Sequence, residues 1–107
     1  MTSRLPTQAP AATEWQALVV HPDDDVAVAL RDLRADEGVA VRGARTVFHA
    51  RVSEAIPLGH KFALRDIAAG APIRKYGECI GEAKAAIAAG AHVHIHNLAS
   101  RRGRQHA

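Results

Sequence analysis

An aliphatic–turn–aliphatic pattern recurs along this chain and limits what it can fold into. Asp32-Leu33-Arg34-Ala35-Asp36-Glu37-Gly38-Val39 matches Asp66-Ile67-Ala68-Ala69-Gly70-Ala71-Pro72-Ile73 position for position, and Ala86-Ile87-Ala88-Ala89-Gly90-Ala91-His92-Val93 is a fainter third copy. In each, an aliphatic residue (Leu33, Ile67, Ile87) stands six positions before the next one (Val39, Ile73, Val93). Between them lies a residue that can take positive φ: Gly70 and Gly90 freely, Asp36 at modest cost. Ala29-Leu30-Arg31 and Ala63-Leu64-Arg65 extend the first two copies backward. The pattern predicts one helical turn, a left-handed stop and entry into a strand. Strands are expected at 39–42, 46–53, 73–76 and 92–98, with an earlier one within 16–21 that Pro22 ends. Asp23-Asp24-Asp25 reads as a helix N-cap before 26–33, although Val26 and Val28 suit a strand as well. Glu82 to Ala89 reads as a short helix. The expected fold is mostly β with short helices, and the copies are too few and too unevenly spaced for a solenoid.

A length of 107 residues allows one small domain with tails. Residues 1–14, with Pro6 and Pro10, read as a disordered leader, 15–99 as the folded domain and 100–107 as a basic flexible tail. Hydrophobic residues make up 48% but aromatic ones only 4%. The core must therefore be built from Val, Ile, Leu and Ala, and such a thin core gains from docking on a larger partner or on a second copy. The formal charge of +3 comes with Arg101, Arg102 and Arg104 at one end, so it does not make a nucleic-acid surface; no RNA-binding aromatic motif accompanies it. Cys79 is alone, which fits a reducing compartment and a buried hydrophobe rather than a nucleophile. No secretory signal or membrane-length apolar run is present, so the expected location is the cytoplasm, without a membrane partner.

Three of the seven histidines fall in His92-Val93-His94-Ile95-His96-Asn97. On a strand they would share one face, ~7 Å apart at successive Cα atoms, so two could converge on one metal or anion but not all three. A polar strand face is the plainer alternative. A second block, Ile56-Pro57-Leu58-Gly59-His60-Lys61-Phe62-Ala63-Leu64, uses Pro57 and Gly59 to turn the chain. The turn presents a His-Lys pair. Lysine beside an imidazole favours the neutral ring that a general base or metal ligand requires; a solvated surface turn is again the alternative.

Together these blocks resemble the SAF-type (β-clip) domain of the altronate and galactarate dehydratase family, which in (2R)-sulfolactate sulfo-lyase is a separate small subunit. The matching residues run from Asp25-Val26-Ala27-Val28-Ala29-Leu30-Arg31-Asp32-Leu33 through Ile56-Pro57 and Gly59-His60-Lys61-Phe62-Ala63-Leu64. They continue with Ile67-Ala68, Gly70, Pro72-Ile73, Lys75-Tyr76-Gly77, Ile80-Gly81 and Ala89-Gly90, and end at Val93-His94-Ile95-His96-Asn97. The family usually has Asp-Asn where this chain has Asp24-Asp25, and Trp where His92 stands. The third imidazole is thus peculiar to this chain.

The resemblance implies a compact β-clip fold. It implies a part in eliminating water or sulfite from a 2-hydroxy acid such as altronate, galactarate or sulfolactate, giving a 2-oxo acid. It also implies a divalent metal, iron foremost, and a separate large catalytic subunit as partner. On that basis His94 and His96 would bind the metal or the substrate carboxylate. His60 would be a ligand or acid/base and Lys61 its electrostatic partner. Asn97 would orient an imidazole or donate to a substrate hydroxyl. Lys75 and Arg65 are candidate carboxylate contacts, or else solvated charges. The alternative is a non-catalytic assembly or ligand-binding module on the large subunit.

Overall fold

Short runs of β-branched and alanine residues, cut by turns, form nine strands among residues 15–100, which are the residues described by the computed structural model. Six of them, β1 (Ala17–Leu18), β2 (Val26–Ala29), β3 (Gly38–Arg42), β4 (Val47–Arg51), β5 (Lys61–Ala63) and β8 (His92–Val93), make one sheet. Its order is β4-β3-β1-β2-β5-β8, with β1 and β3 parallel and the other neighbours antiparallel. A smaller antiparallel sheet joins β6 (Pro72–Lys75), β7 (Glu78–Ala83) and β9 (Leu98–Ser100), in that order. The expected leader and all but the first residue of the expected tail lie outside the described residues.

The repeat is real, but it builds a turn rather than a helix, and it has four copies. Leu33, Ile56, Ile67 and Ile87 each make an isolated β-bridge, Leu33 with Ile56 and Ile67 with Ile87. Three residues after each bridge the backbone turns left-handed: Asp36 (φ 65°), Gly59 (φ 84°), Gly70 (φ 82°) and Gly90 (φ 87°). The N–H that follows closes the turn onto a carbonyl three residues back, as in Glu37 to Arg34 and His60 to Pro57. A positive φ at the third position is what type II turns require. The left-handed N–H and the next carbonyl then pair with one residue of a neighbouring segment: Val52, Ala29, Ala83 or Ala63. Asp32 and Asp66 tie the bridged copies together, accepting from Leu58 N–H at 2.8 Å and Ala89 N–H at 2.9 Å. The copy at Ile56–Phe62 escaped the sequence pattern because Pro57 and Leu58 replace its alanines.

Each bridged pair of turns has its own core. Leu33 and Ile56 pack with Ala17, Val39, Val41, Val52 and Phe62, whereas Ile67 and Ile87 pack with Val26, Ile73, Ala83 and Val93. Strands β2 and β5 serve both cores, because successive residues face opposite ways. The Ala27–Phe62 pair joins the first core and the Val26–Ala63 pair the second. Phe62, fully buried, is the aromatic ring in a core otherwise aliphatic, as the composition required.

No described residue is helical, so the short helices expected at 26–33 and 82–89 are corrected. At 26–29 the alternating valines form β2. Glu82 and Ala83 end β7, and Ile87 is held in its bridge to Ile67. High helix propensity over eight residues cannot outweigh those tertiary contacts. The aspartates cap a hairpin instead of a helix. Tyr76 (φ 58°) and Gly77 (φ 76°) form the two-residue turn between β6 and β7, with positive φ at both central positions. Buried Asp24 accepts from both of their N–H groups, at 3.0 and 2.8 Å. Asp25, also buried, accepts from Arg74 N–H at 2.8 Å and pairs with Arg65. No helix of the described residues is long and apolar enough to cross a membrane.

Candidate functional site

The register of β5 against β8 brings the two histidine segments together. Phe62 lies opposite His92 and Lys61 opposite Val93, so one step further His60 faces His94. Side chains opposite each other or diagonal across an antiparallel pair are the ones that touch. The rings follow that rule. His60 and His94 stack with centroids 4.2 Å apart and planes at 16°, and the diagonal His60–His92 pair stacks at 5.0 Å. His92 and His94 are parallel neighbours at 5.4 Å. His60 Nδ1 lies 2.8 Å from His92 Nε2, a hydrogen bond that needs at least one of the two rings neutral.

The expected strand over 92–98 is corrected: it stops at Val93, and residues 94–97 form a turn leading into β9. The N–H groups of Asn97 and Leu98 both donate to the His94 carbonyl, at 3.0 and 2.9 Å. The Asn97 side chain makes this turn. Its Oδ1 accepts from His94 N–H at 2.9 Å, and its Nδ2 donates to the His92 carbonyl at 2.8 Å. Lys84 Nζ donates to the Ile95 carbonyl at 2.9 Å, and the Glu54 carboxylate accepts from His92 N–H at 3.0 Å. The histidine backbone is thus fixed from both sides.

The electrostatics favour neutral rings. Burial, then the neighbouring His60, His94 and His96, hold His92 below the ordinary imidazole range, with Glu54 opposing. His94 is lowered by desolvation, then by His60, Lys61 and His96. Lys61 is half-buried, and burial followed by the charge of Lys75 lowers its ammonium. Neutral imidazoles carry the lone pairs that proton abstraction and metal ligation both use.

The fold gathers most of the residues singled out from sequence, with one change of membership. His60, His92 and His94 each present a nitrogen, and those nitrogens all lie within 4.8 Å of one another. The group therefore holds His92 where the sequence pointed to His96. His96 stands in the turn, tilted 40° against the His92 ring at 5.4 Å. Lys61 is near enough to His94 to act on its charge, and Lys75 acts in turn on Lys61, with Lys75 Nζ over the Tyr76 ring at 4.6 Å. Arg65 is ion-paired with Asp25, with its side chain still largely exposed. Sequence reasoning missed Glu54, for which no motif gave a signal, and the role of Asp24-Asp25 in holding the Tyr76-Gly77 turn.

The profile of the altronate/galactarate dehydratase SAF domain matches residues 15–101. This chain belongs to that family. The SAF domain is 49% identical over 82 residues to altronate dehydratase of Escherichia coli (strain K12), an alignment covering 77% of this chain and 16% of that enzyme. It is 38% identical over 78 residues to altronate dehydratase of Bacillus subtilis (strain 168), covering 73% and 15%. With (2R)-sulfolactate sulfo-lyase subunit alpha of Chromohalobacter salexigens it shares 37% identity over 89 residues, 78% of this chain and 94% of that subunit. The SAF domain thus spans about one sixth of the altronate dehydratases and nearly the whole of the sulfo-lyase subunit.

Proposed function

We propose that this SAF domain is the small component of a lyase that removes water or sulfite from a 2-hydroxy acid such as altronate, galactarate or sulfolactate, working with a large catalytic subunit. The observation that carries this reading is the meeting of His60 with His92 and His94 in a family whose relatives are a dehydratase and a sulfo-lyase subunit. Such an elimination takes the proton next to the carboxylate and expels the group on the following carbon. His96, at the edge of the imidazole group and outside its three clustered rings, suits the proton transfer. Lys61, with Lys75 behind it, offers positive charge to the substrate carboxylate and the developing enolate. Asn97 acts as a positioning residue, since both ends of its amide hold the backbone of His92 and His94.

The divalent metal that the family resemblance implies, iron foremost, fits this donor set, because imidazole nitrogens suit iron, zinc and nickel. When bound it supplies a Lewis acid for the enolate oxygen. Around the cluster Ile95 is 75% exposed and Leu58 61% exposed, apolar surface of the kind a partner subunit covers.

The test is reconstitution with the large subunit of a sulfolactate sulfo-lyase or the catalytic region of an altronate dehydratase. Formation of a 2-oxo acid, with sulfite release in the sulfolactate case, is the expected result. His60→Ala and His94→Ala should lower turnover by about 100-fold or more with the complex intact. Loss of the complex with turnover per complex unchanged would instead support the assembly module.

A further inference from the structure

The geometry points to a metal site complete within this chain: His60, His92 and His94 hold one late first-row divalent cation, such as Zn²⁺, Co²⁺ or Ni²⁺, through three imidazole nitrogens and without a ligand from the large subunit. This deepens the proposed function and rests on the same cluster, but it concerns what the chain binds on its own. Three observations carry it.

The first is spacing. Nitrogens ~2.1 Å from a tetrahedral ion lie ~3.4 Å from one another. One nitrogen from each ring lies within 4.8 Å of the other two, and His60 Nδ1 and His92 Nε2 are 2.8 Å apart, so the rings are already near that separation. The rings stand stacked, with planes 9° to 21° apart, so binding turns them until their in-plane lone pairs converge on the ion.

The second is support from beneath. His60 follows Gly59, whose N–H donates to the Ala29 carbonyl, and the His60 carbonyl accepts from Ala29 N–H, while His92 belongs to β8. His94 is fixed by Asn97 Oδ1, and His92 by Asn97 Nδ2 and Glu54. Fixed backbones are what keep ligands of a metal site in place when the ion is absent.

The third is an open side. The three rings are only partly buried and His96 stands at the edge of the group, so water or a substrate oxygen can complete the coordination. Three protein ligands plus an open position is the pattern of catalytic rather than structural zinc sites. The ligand that makes the site self-sufficient is His92, the third ring of the group.

The experiment uses the full chain, stripped of metal and without a partner, titrated with Zn²⁺, Co²⁺ and Ni²⁺ in turn. Calorimetry should give one ion per chain, and the Co²⁺ form should show the intense visible absorption of a four-coordinate site. His92→Gln and His94→Gln should each weaken binding by about 100-fold or more, since loss of even an outer partner of a ligand costs ~10–100-fold. His49→Ala, on the exposed strand β4, is the control and should bind like the parent chain. Circular dichroism of each variant establishes that it is folded. Absence of stoichiometric binding by all three ions overturns the proposal, as does a folded His92→Gln chain that binds as tightly as the parent. A chain in which His96→Gln removes binding while His92→Gln does not would place the site at His94 and His96 instead, and also overturns it. Turnover of the reconstituted pair tests the lyase reading separately, so the two failures are distinguishable.

Discussion

Replacing Asn97 with alanine tests how the histidine turn is held. Its amide makes two part-buried hydrogen bonds, from His94 N–H at 2.9 Å and to the His92 carbonyl at 2.8 Å. Each such bond contributes a net ~0.5–1.5 kcal/mol, so Asn97→Ala should cost about 1–3 kcal/mol. In a domain of this size 1 kcal/mol moves the melting temperature by ~4–8 °C, and a mid-range loss corresponds to roughly 8–16 °C. Asn97→Asp is the informative partner variant. A carboxylate still accepts from His94 N–H but cannot donate to His92, so it should recover part of the loss and no more. Thermal and urea unfolding of the metal-free chain measure both. An Asn97→Ala chain within 0.5 kcal/mol of the parent (about the smallest net value for one such bond) would refute the claim that this side chain builds the turn.

Other expectations follow from the repeated turns and the surface charges. Gly90→Ala places a methyl group against the Arg51 carbonyl at a φ of +87°, whereas Gly59 and Gly70 have open space at similar φ. Chemical denaturation should therefore show about 2–4 kcal/mol lost at Gly90 but only ~1–2 kcal/mol at Gly59 or Gly70. Tyr76 carries a left-handed backbone (φ 58°) that asparagine tolerates better, so Tyr76→Asn should raise stability by about 0.5–1 kcal/mol in the same assay. Glu37 is held at about 2, from 4.5, by its hydrogen bond to Arg31 and then by Arg34 N–H. A depressed carboxylate stabilises the fold above its unfolded pKa and loses that contribution as pH falls from about 4.5 towards 2. Unfolding measured across that window should be less pH-dependent in Glu37→Gln.

Much of this was legible in the sequence because it depends on local chemistry. The positive-φ positions Asp36, Gly70 and Gly90 declare themselves by residue type, and the valine alternation of β3 by its period of two. The helices expected at 26–33 and 82–89 failed for a tertiary reason. A run such as Glu82-Ala83-Lys84-Ala85-Ala86 favours a helix locally, but Ile87 is drawn into its bridge with Ile67. At Gly81, close approach to Ala99 across β7 and β9 leaves no room for a side chain. Membership of the imidazole cluster was partly legible. Two-residue alternation places His92 and His94 on one face and the family resemblance points to His60, but only the pairing of β5 with β8 reveals that His92, rather than His96, stands with them. The turn at 94–97, which moves His96 to the edge, follows from the reach of Asn97 back to His92 and His94, an interaction that spacing alone does not display.

The central claim is that imidazoles from two segments, 60 and 92–94, form one cluster in solution. Ring-to-ring nuclear Overhauser contacts on the labelled, metal-free chain test it most directly. The account predicts contacts between the His60 ring protons and those of both His92 and His94, with the strongest to His94, where the centroids are 4.2 Å apart. A His60 ring that contacts neither of them would contradict it.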